Sequence, residues 1–126
     1  MYDILLIEDN IALRQKLKKI LLAAFPGLSI LEASSSAECF KKIDCHQVII
    51  ILMDIHLRDE NGLELTKKIK TLFPHIFISI HSIYDTLEYR RNAKQAGADY
   101  FLSKKSNSIN DMIAMLKKEL EHTLHQ

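Results

Sequence analysis

Cysteine is scarce in this chain, and the two present, Cys39 and Cys45, fit no metal pattern. They form no CxxC, and no His/Cys set completes a zinc site. A disulfide framework is likewise excluded, so two free thiols in a reducing compartment are expected. Charge of one sign is also lacking. Seventeen basic side chains face sixteen acidic ones, so the domain as a whole carries no strong pull toward nucleic acid or a membrane surface. No apolar run approaches the length of a bilayer span. The opening MYDILLIEDN has no basic leader followed by an apolar region, so no export signal is expected and a cytoplasmic location is. Glycine is missing where a phosphate-cradling loop would need it: EDNIA, after the first apolar run, offers no glycine- or hydroxyl-rich turn, which speaks against a flavin site.

What is present is a core. The 126 residues are 48% hydrophobic, enough to bury one domain's interior, and we read residues 1–126 as a single domain. Strand and helix patterns alternate from end to end. Strands are predicted at Asp3–Glu8, Ser29–Ala33, Val48–Asp54, Ile76–Ser82 and Asp99–Ser103. The first helix shows Leu13, Leu17, Ile20, Leu21 and Ala24 on one face and is broken by Pro26-Gly27. The second opens at Ser35-Ser36-Ala37-Glu38, which has capping-box spacing. The third opens at Asn61-Gly62, buries Leu65, Ile69, Leu72 and Phe73, and ends at Pro74. The fourth is capped by Asp85-Thr86-Leu87-Glu88 and stops at Gly97. The last starts at Ser108-Ile109-Asn110-Asp111 and presents Ile109, Met112, Ile113, Leu116, Leu120 and Leu124 as one apolar stripe. Five βα units of this kind imply an α/β fold, a parallel sheet covered on both faces. VIIILMD reads as a strand buried on both sides.

Parallel strands end on one edge of the sheet, and ligands bind outside that edge. The strand exits carry Glu8-Asp9, Asp54, Ser82 and Lys104, while the second strand exits on uncharged Ala33-Ser34. Three carboxylates brought together repel and need a counter-charge. A hard divalent cation with oxygen ligands, Mg²⁺ above all, fits one or two carboxylates and leaves room for a phosphate oxygen. Lys104 adds a fixed positive charge, and Ser82 a short hydroxyl donor. Such a set stabilises a transferred phosphoryl group and leaves one carboxylate as the nucleophile.

With these residues placed, the chain resembles the receiver domain of two-component response regulators over essentially its whole length. The resemblance rests on Glu8-Asp9, on Asp54 in ILMDIHL with Gly62 downstream, on Ser82, on AGAD before the fifth strand, and on Lys104 in ADYFLSK. It implies a flavodoxin-like, doubly wound sheet of five parallel strands in the order 2-1-3-4-5, with five helices. It implies that Asp54 is the phosphoacceptor, loaded by a sensor histidine kinase, a histidine phosphotransfer protein or a small phosphodonor. Glu8, Asp9, Asp54 and the backbone carbonyl of His56 would hold Mg²⁺ or Mn²⁺. Ser82 and Lys104 would bind the phosphoryl group, Phe101 would be the switch aromatic, and His56 and Tyr84 would tune phosphoryl lifetime. The output would be an attached domain or a separate target, with homodimerisation on phosphorylation as one route. The expected protein is a signalling switch, an enzyme only toward its own phosphorylation and slow dephosphorylation.

Departures from the family pattern are visible too. Arg58 and Lys105 stand where receivers often have proline, so the loop after Asp54 is expected to be less constrained and the Lys104–Lys105 peptide to be trans. His81 is expected to be a packed, hydrogen-bonded histidine, and His122 and His125 to be solvated. Arg90, Arg91 and Lys94 give the fourth helix a basic flank, either solvated or facing an acidic partner or a second copy. A metal-dependent phosphatase using Asp54 is the main rival. It would need a second acid beside the nucleophile, and Ile55-His56 supplies none. A pseudo-receiver is the other rival, and the intact acidic set and lysine argue against it. With no recognition helix in the sequence, direct nucleic-acid binding by this chain is not expected, nor is membrane binding.

Overall fold

Strands and helices alternate as the periodicity predicts. The structure, a computed structural model, describes residues 3–57 and 59–124, the side chains of Asp3 and Leu124 excepted. Arg58, His125 and the Leu124 side chain therefore lie outside the described residues. The elements are β1 (Asp3–Ile7), α1 (Ile11–Ala24), β2 (Ser29–Ala33), α2 (Ser36–Cys45), β3 (Val48–Asp54), α3 (Gly62–Leu72), β4 (Phe77–Ser82), α4 (Leu87–Gln95), β5 (Tyr100–Ser103) and α5 (Ile109–Leu124). Every strand pair is parallel, and the order is β2-β1-β3-β4-β5, the order the resemblance implied.

Alternation along the strands feeds two cores. Leu5, Ile7, Ile51, Met53, Ile78 and Ile80 face one side and pack with residues of α2, α3 and α4. Ile4, Leu6, Ile50, Leu52 and Leu102 face the other and pack with Leu21 of α1 and with Met112, Met115, Leu116 and Leu120 of α5. The strands are apolar without interruption because both faces are covered. Among the described residues no helix is long and apolar enough to cross a membrane. Both cysteines are free. Cys39 lies in the core, where burial pushes its thiol up to about 12, and Cys45 is exposed.

Helix ends use the capping chemistry read from the sequence, with shifts of detail. Ser35 caps α2 by accepting from the Glu38 amide at 3.2 Å, but Glu38 turns back to the Ser34 amide and hydroxyl instead of to Ser35. Thr86, not Asp85, caps α4. Gly97, at φ +101°, closes α4, with the Ala98 amide donating to the Ala93 carbonyl and the Gly97 amide to Lys94. Ser108 and Asp111 reciprocate at the start of α5, at 3.2 and 2.8 Å.

Three apolar assignments are corrected, the first being Ile109, which opens α5 and is 42% exposed. Leu72 is 64% exposed; it sits on the flank of the buried stripe in the last turn of α3. Thr66 is buried in that helix instead, its hydroxyl satisfied by the Gly62 carbonyl at 2.7 Å. Ala24 is exposed at the end of α1, where Phe25 and Leu28 pack against the core in its place.

Candidate functional site

The C-terminal ends of β1, β3, β4 and β5 lie side by side, and register decides what meets there. Ile7 pairs with Met53 and with Ala33, and the Glu8 amide extends that ladder to the Ala33 carbonyl. Glu8 thus emerges beside Asp54. Carboxylate oxygens of Glu8, Asp9 and Asp54 come within 4.8 Å of one another. The Lys104 ammonium stands 3.3 Å from Glu8 Oε1 and 3.6 Å from Asp54 Oδ1. Sequence positions from 8 to 104 meet in one small acidic pocket.

Its electrostatics are unbalanced. Glu8 is buried, and burial together with the neighbouring Asp54 charge holds its carboxyl above the usual carboxylate range, with Lys104 and the Asn10 amide pulling the other way. One ammonium cannot neutralise three carboxylates. The donor set, all hard oxygens on short side chains around a half-buried centre, fits a hard divalent cation.

The described residues on either side of Arg58, in the loop from Asp54 into α3, are tied to their surroundings by hydrogen bonds. His56 and Asn61 form an antiparallel bridge. Asp59 accepts from the Ser36 amide at 3.1 Å and from its hydroxyl at 2.8 Å, tying the loop to the first turn of α2. The Gly62 amide donates to the Ile55 carbonyl at 2.6 Å. A β-carbon on Gly62 would press on the Asp54 carbonyl oxygen and lie 2.8 Å from Ile55 Cα. Glycine is therefore required by close backbone approach directly behind Asp54.

Ser82 ends β4 wholly buried, its Oγ accepting from the Tyr84 amide at 2.9 Å, and its carbonyl accepting from the Lys104 amide at 2.8 Å. The Lys104–Lys105 peptide is trans. Phe101 is half-buried against the core with the Arg90 guanidinium 4.9 Å over its ring, so Arg90 is not merely a solvated member of a basic flank. His56 and Tyr84 meet edge to face, with ring centroids 4.9 Å apart, and Tyr84 stacks on Tyr89 of α4 at 5.3 Å. His81 is packed in β4 as expected, but its Nε2 finds no hydrogen-bond partner among the described residues, so the hydrogen-bonded histidine predicted from the sequence is corrected in that respect. Desolvation, and then the Lys104 charge, push it down to about 4.

Sequence reasoning missed three supporting groups. Arg14 donates to the Glu8 carbonyl at 2.7 Å and to Glu32 at 3.0 Å, locking α1 to β2 under the acidic pair. The Asn10 side chain caps α1, and the Asn10 backbone amide donates to Glu8 Oε2 at 3.3 Å. Asp85 binds Ser103 and Ser106 across to the next loop. The charged Glu32 within a short strand was a signal for the first, and Asn10 just before the first helical run was a signal for the second; Asp85 left none.

Known proteins carry the same plan. A protein-family model described as "Response regulator receiver domain" matches residues 4–117. An uncharacterized transcriptional regulatory protein, YesN of Bacillus subtilis, is 29% identical over 97% of this chain and 35% of its own length. The transcriptional regulatory protein ComA, also of Bacillus subtilis, is 35% identical over 82% of this chain and 50% of its own. The chain thus spans about a third to a half of these curated relatives. A CheY-like receiver domain structure from Methanospirillum hungatei JF-1 superposes with a TM-score of 0.84 at 29% identity, covering 97% of this chain and 95% of that one. With the family model matched nearly end to end and the acidic pocket assembled at the strand exits, this chain belongs to the response regulator receiver domain family.

Proposed function

We propose that Asp54 is the phosphoacceptor of a two-component signalling switch. The observation that carries this is the half-buried Asp54 carboxylate at the end of β3, flanked by Glu8 and Asp9 and faced by the Lys104 ammonium at 3.6 Å. An Asp54 oxygen attacks the phosphorus of a phosphohistidine on a sensor kinase or phosphotransfer protein. The new O–P bond forms as the P–N bond breaks, and the imidazole nitrogen leaves with the electron pair. Receiver domains bind Mg²⁺ at an acidic pocket. Here Glu8, Asp9, Asp54 and the His56 carbonyl are the residues that would hold Mg²⁺ or Mn²⁺, which when bound supplies neutralisation of the crowded oxygens.

Lys104 pairs with the added charge, and Ser82 donates its hydroxyl to a phosphoryl oxygen. The two states differ by these contacts, and Phe101 repacks toward the space that Ser82 leaves, changing the α4-β5-α5 surface. His56 and Tyr84, in mutual ring contact, restrict attacking water. The chain is a cytoplasmic receiver unit, and the longer relatives named as transcriptional regulators favour control of an attached output region or a separate target; a homodimer on phosphorylation is one means of transmitting it.

Acetyl phosphate followed by intact-mass measurement tests the reading. Wild type in Mg²⁺ gains one phosphoryl group; Asp54→Asn gains none, and EDTA abolishes the gain in wild type. Labelling that persists in Asp54→Asn, or that ignores EDTA, sinks it.

A further inference from the structure

Ser82 is the last residue of β4, where the chain enters the loop to α4, and Lys104 is the first residue of the loop from β5 to α5. The β4–β5 ladder pairs Ser82 with Ser103, and the Lys104 amide extends it to the Ser82 carbonyl at 2.8 Å. The loop after Lys104 also lacks the proline that many receivers carry there. Beyond the end of that ladder, the turn after Lys104 is held by side chains.

Ser103 is the hub of that turn. It is buried, and its Oγ accepts from the Lys105 and Ser106 amides, each at 3.1 Å. Its own amide donates to Asn107 Oδ1 at 2.8 Å, and its carbonyl accepts from the Asn107 amide at 2.9 Å. A serine hydroxyl has two lone pairs and one hydrogen. Both lone pairs are occupied by amides, so the remaining hydrogen of this buried group needs an acceptor. That acceptor is Asp85 Oδ2, at 2.7 Å, three residues past Ser82 on the other loop. Ser106 Oγ reaches the same oxygen at 3.1 Å. Bonds from Ser103 and Ser106 hold the Asp85 carboxyl below its usual range, so it stays ionised. The Asp85 carbonyl in turn accepts from Arg90 Nε at 3.2 Å, and that guanidinium covers Phe101.

We propose that Asp85 is a positioning residue. It clasps the Ser82 loop to the Lys104 loop through Ser103 and Ser106, and so fixes the spacing of the two phosphoryl-binding groups. Among the described residues, the clasp's hydrogen bonds reach none of the acidic groups proposed to hold the cation. This inference rests on the phosphoacceptor reading above.

Tyrosine fluorescence titrations separate the possibilities, using Mg²⁺ alone and then beryllofluoride, a phosphoryl mimic, at saturating Mg²⁺. Asp85→Ala should leave Mg²⁺ affinity within about twofold of wild type and weaken beryllofluoride about tenfold, the size of one charge-assisted hydrogen bond lost from a coupled site. Asp85→Asn retains an acceptor oxygen and should recover most of that loss. Should Asp85→Ala fail to give a wild-type circular dichroism spectrum, Ser106→Ala, which removes one arm at the surface, should still show the selective loss in smaller degree. Unchanged beryllofluoride affinity in these variants, an equal loss of both ligands, or no recovery in Asp85→Asn overturns the proposal. Wild-type protein that ignores beryllofluoride in Mg²⁺ overturns the phosphoacceptor reading itself, and the clasp's role with it.

Discussion

Glu8 carries a tension that its neighbours must relieve. Its carboxylate is buried beside Asp54, at the point where β1 hands over to the turn before α1. Arg14 reaches back past the start of α1 to bind the Glu8 carbonyl and, with Lys18 and Gln15, converges on Glu32. Both Arg14 and Glu32 are mostly buried, at 13% and 22% side-chain exposure, so these contacts are screened less than surface pairs. Arg14→Met keeps the stem and removes the guanidinium. It should lower unfolding stability by about 1–2 kcal/mol in urea denaturation, and it should weaken Mg²⁺ binding because the acidic turn is freed. An unchanged urea midpoint would dismiss this role. The difference between Arg14 and Asp54 also explains what was legible at this scale. A carboxylate ending a greasy strand announces itself by its cost. An arginine on a helix or an aspartate in a loop is ordinary in sequence, and its partner is fixed only when register brings distant segments together. Asp85 and Ser103, 18 positions apart, meet for that reason alone.

At the scale of elements, caps and breakers were readable because their chemistry is local. Ser35, Ser108 and Gly97 act within a few residues of themselves. Burial at helix ends was less readable. A periodic stripe does not say where the sheet beneath it stops, so Leu72 was assigned inward and lies out, while Thr66 lies in by satisfying its own hydroxyl. Gly62 joins the two levels. Its place at the first turn of α3 is evident from Asn61-Gly62, but its need to be glycine comes from the strand it leans on. Gly62→Ala adds a methyl against the Asp54 carbonyl and Ile55 Cα, backbone atoms that cannot rotate away. It should cost about 1–3 kcal/mol of stability and slow acetyl-phosphate labelling by displacing Asp54. A variant as stable and as quickly labelled as wild type would show that α3 can back away freely.

For the molecule as a whole, alternation predicted a two-sided parallel sheet, but periodicity cannot order strands; the 2-1-3-4-5 order came from resemblance. Nor could it reveal the state of His81, because what unsettles that residue is the completed core. With its ring desolvated and Lys104 nearby, His81 is pushed from 6.5 down to about 4. The unfolded chain therefore binds a proton that the folded chain refuses throughout that window. Stability linked to His81 is fully present above pH 6.5 and drains away as pH falls toward 4, by roughly 3 kcal/mol in all. Glu8 acts with the opposite sign: its raised carboxyl favours folding as pH falls through its folded value. A single pH series thus mixes the two. His81→Leu separates them, since both proteins keep Glu8 and only one keeps the imidazole. The leucine also removes an Nε2 without a hydrogen-bond partner among the described residues, so at neutral pH the variant should be as stable as wild type or up to about 1 kcal/mol more so. Denaturant unfolding of both proteins at several pH values should then show their stabilities diverging on acidification, with wild type falling more steeply below pH 6.5. Parallel curves would mean that His81 titrates alike in the folded and unfolded chains, and that its burial has been overstated.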